Sequence, residues 1–203
     1  MNSLSGIKNI IFDLGNVILD IHTLKTINEF EKLGFKHFND LISSSKSYGF
    51  FHDFEIGQID RYTFFDKIRK SQNINVSDQK IINAWNAMLG DYDPKRIRKI
   101  KQLKPQFRLF LLSNTNEIHY NAVLDKIPEI DSFEKLFDTK FLSYKMNISK
   151  PSVEIFEEVL TKSKIIASET LFLDDSPANV ASALKTGMQS RVVNYPTEWL
   201  NWF

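Results

Sequence analysis

Residues 7–20 read I-K-N-I-I-F-D-L-G-N-V-I-L-D, and the fold turns on how this stretch is understood. The run Ile10-Ile11-Phe12 is too short and too β-branched for a helix, so residues 7–13 read as a buried strand. The strand ends on an acid, Asp13, and Gly15 and Asn16 follow at once. A strand that delivers a carboxylate into a glycine turn points to a nucleophile or a metal ligand. The plainer alternative is a structural acid that caps the turn.

Beyond that turn the pattern becomes helical. Leu24, Ile27, Phe30 and Leu33 form one apolar stripe, and Phe64, Phe65 and Ile68 form another. Ile81, Ile82, Trp85, Met88 and Leu89 make a third. Within E-I-G-Q-I-D, Gly57 reads as the residue closing a helix and Asp60 as the next N-cap. Phe50, Phe51, Phe54 and Tyr48 read mostly as core of this block, with one or two free to line a pocket. Asp20 and His22, on the way in, read as hinge residues. The expected organisation is a helical domain over 19–89 inserted into a core formed by 1–18 and 90–203.

Strands and helices alternate after that. Asp93-Pro94 opens a helix over 94–103, cap then N1 proline. A strand R-L-F-L-L-S runs to Ser113, a helix covers 117–126, and a mixed segment reaches about 149. Ser152 opens another helix, in which Val153, Phe156, Val159 and Leu160 share a face. Thr170–Leu173 is a strand ending on Asp174-Asp175, a helix over 178–186 stops at Gly187, and Arg191–Val193 is a last strand. This alternation predicts a parallel α/β sheet with right-handed crossovers. The aromatic tail with Trp199, Trp202 and Phe203 is expected to dock on the core.

Composition narrows the class. The 203 residues carry 26 Lys+Arg against 25 Asp+Glu, with 42% hydrophobic and 25% charged residues. Such a balance gives no net field for nucleic acid or an anionic membrane. The basic cluster Lys95-Arg96-Arg98-Lys99-Lys101 reads as a solvated helix face. No cysteine is present, which excludes disulfides, thiolate catalysis and cysteine zinc sites. With neither a signal peptide nor a membrane span in the reading, the expected location is the cytoplasm.

Strands of an open parallel sheet end along one edge, where ligands bind at the switch point. Here that edge would gather Asp13, Ser113-Asn114 and Asp174-Asp175, and Lys150-Pro151 at a helix start would add a cation. Taken singly, Ser113 is a strand-end hydroxyl, Lys150 a solvated lysine and Asn179 a helix-turn residue. Asp174-Asp175 is harder to dismiss, because adjacent acids at a buried strand end repel unless a cation compensates. As a set, these groups describe a site for phosphate and a divalent metal. Carboxylates hold Mg²⁺ while leaving room for phosphate oxygens, and a lysine neutralises charge in phosphoryl transfer.

The ordered motifs D-L-G-N-V, L-L-S-N-T-N, K-P-S-V-E-I-F and L-F-L-D-D-S-P-A-N-V resemble those of the haloacid dehalogenase (HAD) superfamily. The chain is most similar to the helical-cap branch, subfamily IA, including its glucose-1-phosphatase-like members and the phosphatase domain of soluble epoxide hydrolases. F-H-D-F-E-I-G-Q-I-D resembles a cap segment of the former. The resemblance implies a Rossmann-like doubly wound sheet, a cap over the site and a Mg²⁺-dependent phosphatase of small phosphorylated metabolites, with sugar phosphates as the expected substrates. It assigns Asp13 as the nucleophile forming an aspartyl-phosphate. Asp13, the Gly15 carbonyl and Asp175 would hold Mg²⁺, with Asp174 behind them or reaching the ion through water. Ser113, Asn114, Lys150 and the amides of Leu14 and Gly15 would contact phosphate. The implied partner is a small phosphorylated metabolite; the oligomeric state, monomer or dimer, stays open.

One position departs from the superfamily's pattern. Its phosphatases commonly carry a second acid two residues after the nucleophile, which protonates the leaving group and then activates water; here that place is Gly15. Glycine keeps the metal-binding carbonyl but cannot shuttle a proton, and positioned acid–base catalysis contributes ~10²–10⁴-fold. The expectation is a slow phosphatase favouring good leaving groups. The alternative from another class is a weakly catalytic or regulatory protein that binds metal and phosphate.

Overall fold

The computed structural model describes residues 4–44, 49–126, 133 and 135–203, so Tyr48 lies outside the described residues. Strand β1 (Asn9–Phe12) is buried along its whole length. It forms the centre of a five-stranded sheet with β4 (Arg108–Ser113), β5 (Thr139–Leu142), β6 (Thr170–Asp174) and β7 (Gln189–Val192). The order is β5-β4-β1-β6-β7, and every pairing is parallel.

A parallel sheet needs both faces covered, and the period of two supplies both. Ile10 and Phe12 join Leu109, Leu111, Leu171 and Leu173 on one face, against α6 (Pro94–Leu103), α7 (Glu117–Lys126) and Trp199. Ile11 joins Phe110, Leu112 and Phe172 on the other, with α9 (Val153–Ser163) and α10 (Pro177–Lys185). The aromatic tail docks as expected: Trp199 is fully buried, lies edge-on to Phe12, and donates from Nε1 to Val17 O at 3.0 Å.

Two short strands, β2 (Leu19–Ile21) and β3 (Leu89–Tyr92), pair antiparallel where the chain leaves and re-enters the sheet domain. Between them lie α1 (Thr23–Lys32), α2 (Phe38–Ser44), α3 (Phe50–Glu55), α4 (Arg61–Gln72) and α5 (Asp78–Asn86). These helices enclose a separate aromatic core in which Phe30 stacks on Phe38 and Phe54 on Phe64. The turn before α4 follows the sequence reading, since Gly57 has φ +70° and the Asp60 side chain accepts from Thr63 N–H at 2.8 Å.

Several local expectations need correction. Leu24 is 72% exposed, and α1 instead buries Thr26, Ile27 and Phe30, because its inward face is rotated from the stripe the spacing suggested. Helix α9 likewise buries Ile155 with Phe156 and Val159, leaving Val153 and Leu160 only partly covered. Arg96 does not belong to a solvated face. It is buried, donating to Ile18 O at 3.1 Å and pairing with Asp20 at 2.7 Å, so it ties α6 to β2. Strand β5 and the short helix α8 (Ser143–Met146) resolve the mixed segment before Lys150.

Candidate active site

The register brings the ends of β1, β4 and β6 to one level. Phe12 pairs with both Leu111 and Leu173, so Asp13 follows beside the last residues of β4 and β6. Lys150 enters from the loop before α9 and is held by Asn114, whose amide donates to Lys150 O at 2.8 Å and accepts from Lys150 N–H at 2.9 Å. The Asn114 side chain therefore positions the lysine, and the residue also lines the cavity above it.

Lys150 Nζ is buried and donates to Asp13 Oδ1 at 2.8 Å, Asp174 Oδ2 at 2.6 Å and Leu112 O at 3.0 Å. These contacts use all the donors of an ammonium group. Burial by itself would lower its pKa, but the two carboxylates outweigh burial and hold it above the usual lysine range. Lys150 is therefore a fixed cation, not a base. Asp13 has the opposite balance: burial, reinforced by the Asp174 charge, raises its pKa to about 7, while Lys150 and the Leu14 N–H pull it back.

The neighbouring acids differ in what they have left to offer. Asp174 is fully buried; its Oδ1 accepts from Ser176 N–H at 2.8 Å and Asn179 at 2.9 Å, and its Oδ2 from Lys150. Asp175 is only partly buried and accepts on Oδ2 from Asn16 at 2.8 Å. Oxygens of Asp13, Asp174 and Asp175 lie within 4.8 Å of one another. In the turn, Asn16 N–H and Leu19 N–H are taken by Leu19 O and Leu14 O. The N–H and C=O of Gly15 have no hydrogen-bond partner among the described residues. Oxygen donors from Asp13, Asp175 and the Gly15 carbonyl make a hard set, suited to a small divalent cation. The raised Asp13 pKa reflects burial first and the Asp174 charge second, and a cation bound there would favour the ionised carboxylate against both.

Above these groups lies a cavity of about 340 Å³, within the range of small-molecule sites. Its floor includes Asp13, Gly15, Ser113, Asn114, Lys150 and Asp175. Ser113 Oγ makes only a marginal 3.5 Å contact with Asn114 O, so its hydroxyl remains available. The roof comes from the helical block through Ile42, Phe51, Glu55 and Trp85. His119 on α7 fastens that roof, stacking on the Trp85 ring at 4.8 Å and bonding through Nε2 to Trp85 O at 3.0 Å. Burial lowers the His119 pKa to about 4, so it is neutral, with Nε2 carrying the proton donated to that carbonyl.

The sequence-based set Asp13, Leu14, Gly15, Ser113, Asn114, Lys150, Asp174 and Asp175 thus meets at one place, although Leu14 contributes its backbone while its side chain is buried in the core. His22 is not among the cavity residues, and Asp20 is committed to Arg96. Asn16 was missed. Its left-handed φ of 54° lets one amide accept from Ile21 N–H and donate to Asp175, and an Asn in the turn after the acid was a visible signal. Glu55 lies inside the cap segment F-H-D-F-E-I-G-Q-I-D without standing out within it, and His119 had no such signal.

Comparison with known proteins places this geometry. Residues 7–187 match the family model for haloacid dehalogenase-like hydrolases. A D-ribitol-5-phosphate phosphatase of Bacteroides thetaiotaomicron is 29% identical over 197 residues, covering 95% of each chain. A crystal structure of a HAD family enzyme from the same organism, in complex with magnesium and inorganic phosphate, superposes with a TM-score of 0.91 at 32% identity, over 97% of this chain and 99% of that one. A HAD-like family hydrolase from Porphyromonas gingivalis gives 0.86 at 30% identity, over 96% and 95%. The chain belongs to the haloacid dehalogenase-like hydrolase family.

Proposed function

We propose that this protein is a Mg²⁺-dependent phosphatase of small phosphorylated metabolites, with sugar or sugar-alcohol phosphates as the favoured class. The observation that carries the reading is the buried Asp13–Lys150–Asp174 arrangement beside Asp175, on the floor of a cavity roofed by the helical block. The magnesium and phosphate complex of the Bacteroides HAD enzyme and the D-ribitol-5-phosphate phosphatase support it. Residues 19–89 act as a cap on the core of 1–18 and 90–203, excluding water from the site. No helix among the described residues is long and apolar enough to cross a membrane. The proposal places the enzyme in the cytoplasm, with no nucleic-acid or membrane partner.

Asp13 attacks phosphorus through the carboxylate oxygen not bonded to Lys150, forming an aspartyl-phosphate that water then hydrolyses. Lys150 holds the nucleophile's orientation and supplies fixed positive charge beside the transferring group. Ser113 donates its free hydroxyl to a phosphoryl oxygen, and the turn presents the Gly15 N–H, while the Leu14 N–H supports the Asp13 carboxylate. Asp13, Asp175 and the Gly15 carbonyl would hold Mg²⁺, with Asp174 behind them; the ion supplies charge neutralisation for phosphoryl oxygens. Phosphate release from a panel of p-nitrophenyl, sugar and sugar-alcohol phosphates, with Mg²⁺ and then EDTA, tests this reading. Turnover is expected to require Mg²⁺ and to vanish in Asp13→Asn. Activity that survives either change overturns it.

A further inference from the structure

Resting on that phosphatase reading, we propose that Glu55 of the cap is the general acid and base of the reaction, replacing the carboxylate missing at Gly15. Glu55 is the last residue of α3 and lines the same cavity as Asp13, Ser113 and Lys150. Although it belongs to the cap, its backbone is fixed to the core. Ser143 Oγ donates to Glu55 O at 2.7 Å, and Asn147 donates to Ile56 O at 2.9 Å. The Glu55 carboxylate itself has no hydrogen-bond or ion-pair partner among the described residues. That separates it from Asp174, both of whose oxygens are in use, and from Asp175, which accepts from Asn16 on Oδ2.

The surroundings favour a proton on this group. Burial raises its pKa to about 7, and the Lys150 charge only partly offsets this. A group balanced near neutrality can both give and take a proton at working pH. Titratable groups facing it across the cavity are Lys150, Asp13, Asp175 and His119, with His52 on its own helix. Lys150 stays charged, and His119 stays neutral.

In the first step an Asp13 oxygen forms a bond to phosphorus while the bond from phosphorus to the leaving oxygen breaks. That oxygen keeps the electron pair and takes the proton from Glu55. In the second step the Glu55 carboxylate takes a proton from water as the water oxygen bonds to phosphorus. The bond from phosphorus to Asp13 breaks, its electron pair returns to the carboxylate, and phosphate departs with Glu55 protonated again.

Glu55→Gln, in the full chain with Mg²⁺, separates the two steps. Loss of the acid should lower kcat for an alkyl phosphate such as ribitol 5-phosphate by ~10²-fold or more. With p-nitrophenyl phosphate, whose leaving group needs no proton, the variant should release a burst of about one p-nitrophenolate per enzyme before slow turnover, because hydrolysis of the aspartyl-phosphate loses its base. The fall in wild-type kcat/KM for the alkyl ester above about pH 7 should be absent in the variant. Unchanged kcat on the alkyl ester overturns the assignment, as does an equal loss on both esters with no burst. Wild-type protein that turns over neither ester defeats the phosphatase reading and this assignment together. Wild-type turnover with an unaffected variant defeats the assignment alone.

Discussion

On the sheet side of the cavity, Lys150 spends its donors on Asp13, Asp174 and Leu112, while Asp174 accepts from Lys150, Ser176 and Asn179. On the cap side, the Glu55 carboxylate has no partner among the described residues, and the apolar Phe51 and Trp85 stand near it in the cavity wall. The hydrogen bonds of Lys150 and Asp174 are made before any substrate arrives, so the lysine's charge is fixed in place and direction beside Asp13. Such preorganisation suits a nucleophile and its electrostatic frame. The helical block supplies a group whose proton is loosely held and whose backbone is seated on the core by Ser143 and Asn147.

The largest effect should come from the sheet side. Lys150→Met leaves Asp13 and Asp174 buried against each other without their cation. Removing one partner from a buried ion pair destabilises by about 3–5 kcal/mol, and urea denaturation should show a loss of that order. Phosphatase activity should be lost as well. A variant as stable as wild type would mean that the network is not the frame described here.

A cap-side change should touch chemistry more than stability. A Cβ on Gly57 would sit 2.2 Å from Tyr144 O, a backbone atom that cannot rotate away, and Gly57 has φ +70°. Gly57→Ala should therefore lift the α3–α4 turn from α8 and carry Glu55 with it. Misplacement of about 1 Å can cost ~10²-fold in rate, and kcat/KM for an alkyl phosphate should fall accordingly. The exposed turn should change the unfolding midpoint far less than Lys150→Met does. Unaltered kcat/KM would separate the turn's seating from catalysis.

The same division governs what the sequence could reveal. The strand ends were legible because apolar runs stop abruptly on Asp13, Ser113 and Asp174, and a parallel sheet aligns such ends. Strand β5 was not, since Thr139 and Lys140 are exposed or half-covered at the sheet edge and give only a weak pattern. Arg96 misled because helical spacing cannot show that Ile18 O and Asp20 wait beside it. Glu55 was hidden for a related reason. A carboxylate closing a short amphipathic helix looks like any solvated acid until the cap is folded over the core.

Gly15 is where the two sides can be exchanged, and the smallest effect is expected there. Its φ lies outside the left-handed region, so the backbone accepts a side chain; the limit is Ile21, whose Cγ1 would be 3.2 Å from the new Cβ. Gly15→Asp should cost about 1–3 kcal/mol by overpacking, and adding Ile21→Val should recover part of that. With Glu55 intact, a carboxylate at position 15 duplicates a proton carrier already present, so turnover of an alkyl phosphate should change only a few-fold. In a Glu55→Gln background the same pair of substitutions should instead restore part of the lost rate and remove the p-nitrophenolate burst. A gain of ~10²-fold from Gly15→Asp in the presence of Glu55 would show that the proton carrier was missing all along, and that the cap does not provide it.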